Sequence, residues 1–134
     1  MSRDRVIRGA LWTSVALNLL GVAVFLPAAL GIPSGLLPVP PPRFYAAQVG
    51  LTIALFCGVY AWLARQAEID RPLVIVGALG KLGFFALFVV YWAAGDLPPG
   101  AVVQATPDLI LGAVFLWWAW AGRRGRPVVA PAAV

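Results

Sequence analysis

Histidine is missing from all 134 residues, and cysteine occurs once, as Cys57. Without an imidazole the chain has no usual ligand for haem or for most zinc and copper ions, and no histidine general base. A single cysteine excludes an intrachain disulfide and any CxxC redox or metal motif. No cofactor bound through His or Cys is expected, and no metal site. Acidic groups are scarce too, with five Asp and Glu against ten Lys and Arg. From so few, no paired carboxylates and no nucleophile–base pair can be assembled, so catalysis is not the first expectation. The net charge of +5 is scattered over short hydrophilic patches. It forms no basic stripe, which argues against a nucleic-acid partner. The run Gly77–Gly83 (GALGKLG) lacks the Lys–Ser/Thr ending and the preceding strand of a phosphate loop.

What the chain has in quantity is apolar surface. It is 62% hydrophobic and 11% charged, with a mean hydropathy of +0.91. A soluble domain of this size leaves much of its area in water and could not hide that fraction. The matching solvent is lipid. Four apolar runs stand out, and they lack the period-two alternation of barrel strands, so they read as helices. The expected fold is an all-α integral membrane four-helix bundle, one domain over residues 1–122. Its helices span about 6–30, 44–64, 72–94 and 105–122. The last is the shortest run, with Pro107 placed in its first turn, where proline is tolerated. Residues 31–43 (GIPSGLLPVPPPR), 65–71 (RQAEIDR) and 95–106 read as linkers, and 123–134 as a disordered cytoplasmic tail.

Arginine placement suggests orientation. Arg3, Arg5 and Arg8 precede the first helix, Arg65 and Arg71 flank the middle linker, and Arg123, Arg124 and Arg126 follow the last helix. The other two linkers hold only Arg43. The positive-inside rule then puts both termini in the cytoplasm. Trp12, Trp62, Trp117, Trp118 and Trp120 fall near the inner boundary, and Phe44, Tyr45, Tyr91 and Trp92 near the outer one, as interfacial anchors. The arginine-rich start and Ala28–Ala29 also fit a cleaved leader loosely. The length of the first run, and Asn18 near its middle, favour a permanent span.

Polar side chains inside lipid are costly and mark sites or interhelical bonds. Here they are few: Ser14 and Asn18 in the first helix, Gln48 and Thr52 in the second, Lys81 in the third, Asp108 opening the fourth. Helical spacing groups them into stripes, Ser14–Asn18–Gly21, Tyr45–Gln48–Thr52, Gly77–Lys81–Phe84–Phe88 and Asp108–Gly112–Phe115–Ala119. In three stripes glycine accompanies the polar residue, which suits faces turned into the bundle. The backbones of Lys81 and Asp108 differ in expected depth by roughly 7 Å at about 1.5 Å per residue. A lysine side chain can reach across most of that gap. An intramembrane Lys81–Asp108 ion pair is therefore expected, with Asn18, Gln48 and Thr52 near it. Phe84, Phe85, Phe88 and Phe115 are candidates for the wall of an apolar pocket around Lys81. The alternatives are structural glue between helices, a ligand pocket, or part of an ion path.

Three segments carry a family resemblance. They are YAAQVGLTIALFCGVYAWLAR, the charged turn leading into RPLVIVGALGKLGFF, and the late aspartate opening PDLILGAVFLWWAW. Over residues 6–121 the chain resembles the DoxX-like group of small bacterial membrane proteins, with Lys81 and Asp108 as its fixed points. The resemblance implies a four-helix bundle in the bacterial cytoplasmic membrane, sometimes an accessory subunit of a quinone-linked oxidoreductase. Three functions follow as expectations. The first is a non-catalytic subunit packing against a larger membrane complex. The second is a small dimeric transporter or channel with Lys81 and Asp108 in its pathway. The third is an enzyme or binder acting on a lipid-soluble molecule such as a quinone or isoprenoid. Expected partners are the bilayer and other membrane subunits or a second copy, and the ligand class left open is a quinone or lipid.

Overall fold

The computed structural model describes residues 2–37, 39 and 41–121. Four helices follow in order: α1 Arg3–Leu30, α2 Arg43–Arg65, α3 Arg71–Ala93 and α4 Pro99–Ala121. The described residues contain no strand. The tail expected over 123–134 lies outside the described residues. The helices are 28, 23, 23 and 23 residues long. At about 1.5 Å per residue, each exceeds the roughly 30 Å of a hydrocarbon core.

The helix ends have local causes. Gly31 closes α1 with φ +75°, a left-handed conformation that glycine adopts at little cost, while Ile32 N–H donates back to Pro27 O at 2.8 Å. A Cβ at Gly31 would lie 2.6 Å from the Arg43 guanidinium. That guanidinium donates to Leu30 O at 2.7 Å, so Arg43 ties the start of α2 to the end of α1. Asp70 caps α3 by accepting from Leu73 N–H at 3.0 Å, and Pro72 follows in the first turn. Glycine again ends α3, with Gly95 at φ +86°.

α4 differs from the sequence expectation. It starts at Pro99, not near 105, so the linker over 95–106 is mostly helix and Pro107 lies in the helix interior. Pro99 takes the first-turn position that Pro107 was expected to hold, because the first turn needs no N–H donor. Ala101 and Ala105, four residues apart, are buried and extend the inward stripe of Asp108 and Gly112 by two turns. Pro107 removes the donor that would reach Val103 O, yet membrane helices tolerate interior proline better than soluble ones.

α1 packs along α2, and α3 along α4. The two hairpins meet more lightly, through α1 with α4 and α2 with α3. The shared buried cluster comes from only one half of every helix, the half at the arginine-rich end. Ile7, Leu11, Tyr60, Leu63, Val74, Ala78, Phe115 and Trp118 belong to it. In lipid there is little hydrophobic force between helices, so close backbone approach has to hold them. The glycine stripes supply it. A Cβ at Gly77 would stand 2.8 Å from Tyr60, and one at Gly112 would stand 2.7 Å from Leu82.

Around this core the outer faces carry exposed apolar side chains, among them Leu20, Leu51, Leu55, Leu79, Val90, Val103 and Ile110. All four helices are long and apolar enough to cross a membrane. In lipid those side chains cost nothing, and in water they would be a severe liability. The chain is a multi-pass membrane protein.

The arginine-rich end is bonded as well as charged. Arg8 donates to three backbone carbonyls at the end of α2: Ala64 O and Gln66 O at 2.6 Å, and Ala67 O at 3.1 Å. Arg3 donates to Ala121 O, the last carbonyl of α4, at 3.0 Å. These cations sit where helix C-termini leave carbonyls unsatisfied. Trp118, expected as an interfacial anchor, is buried in the core instead. Its indole N–H donates to Asp4 at 3.4 Å, and Arg71 lies 6.0 Å from its ring.

Candidate functional site

The third helix carries Lys81 one turn beyond Gly77, on the face turned toward α2 and α4. Its side chain is only 4% exposed, and Nζ donates to Asp108 Oδ1 at 2.6 Å, a salt bridge whose acidic partner is 23% exposed. The expected ion pair is present. A lysine this deep in apolar surroundings needs such a partner, because an isolated buried charge is very costly.

Tyr60 completes the arrangement, and the sequence reading missed it. Its ring lies 5.3 Å from Lys81 Nζ, within cation–π range, and packs on Phe115 at 5.7 Å and Phe56 at 5.9 Å. Its hydroxyl donates to Gly77 O at 3.3 Å. Placed five residues before the end of α2, Tyr60 has the look of a boundary aromatic. The available signal was its face: Cys57, Tyr60 and Ala64 recur at helical spacing, and all three are buried.

Between the two hairpins, on the side away from the arginine-rich end, a cavity of about 220 Å³ opens beside the ion pair. α1 contributes Asn18 and Gly21. Thr52, Phe56 and Tyr60 come from α2, Gly80, Lys81 and Phe84 from α3, and Asp108 from α4. Thr52 and Gly80 are the exposed members of this lining, which puts the mouth on the α2–α3 side. The ring of Phe56 forms its lip, 3.7 Å from where a Cβ on Gly80 would stand. Toward the arginine-rich end, the lining residue Tyr60 joins Phe115, Leu11 and Leu63 in the buried apolar cluster.

The expected site residues separate here. Asn18 lines the cavity and is fixed by donating to Ile53 O at 3.2 Å. Thr52 lies at the rim, its hydroxyl bonded to Gln48 O of its own helix at 2.9 Å. Gln48 itself is exposed and outside the cavity. On α2 the buried face runs through Ala46, Cys57 and Tyr60, and Gln48 is turned about 200° from Ala46 at 100° per residue. The Tyr45–Gln48–Thr52 stripe thus faces outward or along the rim, unlike the three stripes that include glycine. Among the aromatic wall residues, Phe84 lines the cavity and Phe88 stacks on it at 4.9 Å one turn farther out. Phe85 is only partly buried and lies outside the lining, while Phe115 belongs to the floor beneath Tyr60.

Chemically this is an apolar recess with one polar edge. The described residues contain no group of three His, Cys, Asp or Glu side chains that could hold a metal ion. Cys57 is buried, with its thiol against Val15 O at 3.6 Å.

Fold and site together define a class: a four-helix membrane bundle with a recess between its hairpins and a buried ion pair in the recess wall. Comparison with protein-family models, with curated proteins and with solved structures returns no match to this chain.

Proposed function

We propose that this protein is a non-catalytic subunit of the bacterial cytoplasmic membrane, with both ends inside, that holds a lipid-soluble molecule in its inter-hairpin recess. The molecule is a quinone, an isoprenoid or a similar membrane lipid, kept beside a larger membrane complex. The observation carrying the reading is the position of the Lys81–Asp108 pair, in the wall of a mainly apolar cavity whose exposed lining residues face the α2–α3 side. Binding sites for small apolar molecules combine such walls with a few fixed polar groups. A ligand arriving from lipid would put its head against the pair and Asn18 and leave its chain in the bilayer.

The alternative of a transporter or channel pathway has less support, because the described residues packed between the hairpins toward the arginine-rich end form an apolar cluster. Catalysis in the recess has less support as well, since among its described lining residues the lysine and aspartate hold each other at 2.6 Å. The DoxX-like resemblance favours the accessory role and a quinone-linked complex. Orientation rests on the arginine distribution.

Gentle purification in a native-lipid nanodisc, followed by mass spectrometry of bound small molecules and of co-purifying proteins, tests this. A lipid-soluble molecule near one per chain, lost from a Phe84→Asp variant that remains folded, is the expected result. A bare protein with no enriched molecule over the surrounding lipid would refute it.

A further inference from the structure

Resting on the reading of the recess as a ligand site, we infer that it selects molecules with an uncharged head and rejects carboxylates, phosphates and ammonium groups. The selection comes from charge balance. Among the described residues, only two ionisable groups that carry charge near neutral pH line the cavity, Lys81 and Asp108, and they neutralise each other at 2.6 Å. An anionic head would have to draw the ammonium away from Asp108, leaving that carboxylate in apolar surroundings without its partner. A cationic head would do the same to Lys81, which is 4% exposed. Either exchange leaves one charge without its partner, Lys81 almost wholly enclosed or Asp108 largely so, which is costly in apolar surroundings.

An uncharged head meets no such cost and still finds partners. The ammonium has three donors, of which Asp108 Oδ1 takes one. The Asn18 amide nitrogen is bonded to Ile53 O, and its carbonyl oxygen remains as an acceptor at the cavity wall. A carbonyl can accept from Lys81, and a hydroxyl can also donate to Asn18. Size agrees with a head alone. The recess offers about 220 Å³ beside the pair and is exposed at Thr52 and Gly80, so a small head can lodge there while the rest of the chain lies in lipid.

The test uses full-length protein in phosphatidylcholine nanodiscs with three probes of equal tail: dodecanol, dodecanoate and dodecylammonium. Binding is measured by titration calorimetry, with empty discs subtracted, at a pH where both charged heads are ionised. Dodecanol is expected to bind at least tenfold tighter than either charged probe. Asp108→Asn leaves a net positive wall and should shift the preference toward dodecanoate by tenfold or more; Lys81→Met should shift it toward dodecylammonium. A charged probe binding wild type as tightly as dodecanol would overturn the inference, and it needs no variant to fold. Saturable binding of all three with equal affinity would remove head selection while leaving the recess as a site. No saturable binding of any probe would instead remove the binding role itself.

Discussion

Removing Lys81 and Asp108 together should cost less than the two single removals added, because each single change strands the other charge. Lys81 is almost wholly enclosed and Asp108 about three-quarters so, with 4% and 23% of their side chains exposed. Removing one partner of a buried pair typically costs about 3–5 kcal/mol, because the survivor keeps its desolvation without its counter-charge. The partial exposure of Asp108 puts the expectation at the low end. Asp108→Asn should cost about 3 kcal/mol, since it strands the enclosed ammonium. Lys81→Met should cost about 2 kcal/mol, since the remaining carboxylate is already partly exposed. The double variant leaves no charge behind and should also lose only about 2 kcal/mol, giving a coupling near 3 kcal/mol. Reversible unfolding in mixed micelles, by titrating dodecyl sulfate and following helix content and tryptophan emission, measures all four corners of the cycle. Losses that add to within about 0.5 kcal/mol would refute the reasoning, because independent sites add and paired charges do not.

Other outcomes follow from particular contacts. Gly77→Ala and Gly112→Ala should each cost about 1–3 kcal/mol in the same assay, since the added methyl meets Tyr60 at 2.8 Å or Leu82 at 2.7 Å. Gly83→Ala, with nothing within 4 Å, should be neutral or slightly stabilising. Arg8→Ala should lose about 2 kcal/mol by freeing three carbonyls at the end of α2, and Arg8→Lys should recover part of it. In a Cys57→Ser background, a membrane-impermeant maleimide added to intact cells should label Ser34→Cys and spare Ser2→Cys. The opposite pattern would reverse the orientation drawn from the arginines.

The helices and the ion pair were legible in the sequence because each rests on a local or strongly constrained signal. Apolar runs of spanning length declare helices, and one lysine and one aspartate at neighbouring depths have few other partners to choose. The start of α4 was less legible, since Pro107 is the stronger helix-breaking signal in isolation and Pro98–Pro99 supplies an equally good start eight residues earlier. Gln48 misled because polarity alone does not tell an inward face from a rim; the stripe glycines Gly21, Gly77 and Gly112 lie on inner faces of α1, α3 and α4, and the Tyr45–Gln48–Thr52 stripe has none. Tyr60 stayed hidden because its role depends on rings and glycines from three other places in the chain. Its neighbours Gly77 and Lys81 become neighbours only once α2 and α3 meet.

The half-and-half distribution of the core bears on how the chain is assembled in the bilayer. Each hairpin is closed by its own ties, Asn18 to Ile53 O and Arg8 to the end of α2 in the first, and Lys81 to Asp108 in the second. Insertion can therefore proceed as two self-contained units that later dock at the arginine-rich end, through Asp4 with Trp118 and Arg3 with Ala121 O. A chain cut in the linker between Arg65 and Arg71 should still give two halves that find each other in the membrane. Exchange of one half between copies would then be the natural route to a swapped dimer.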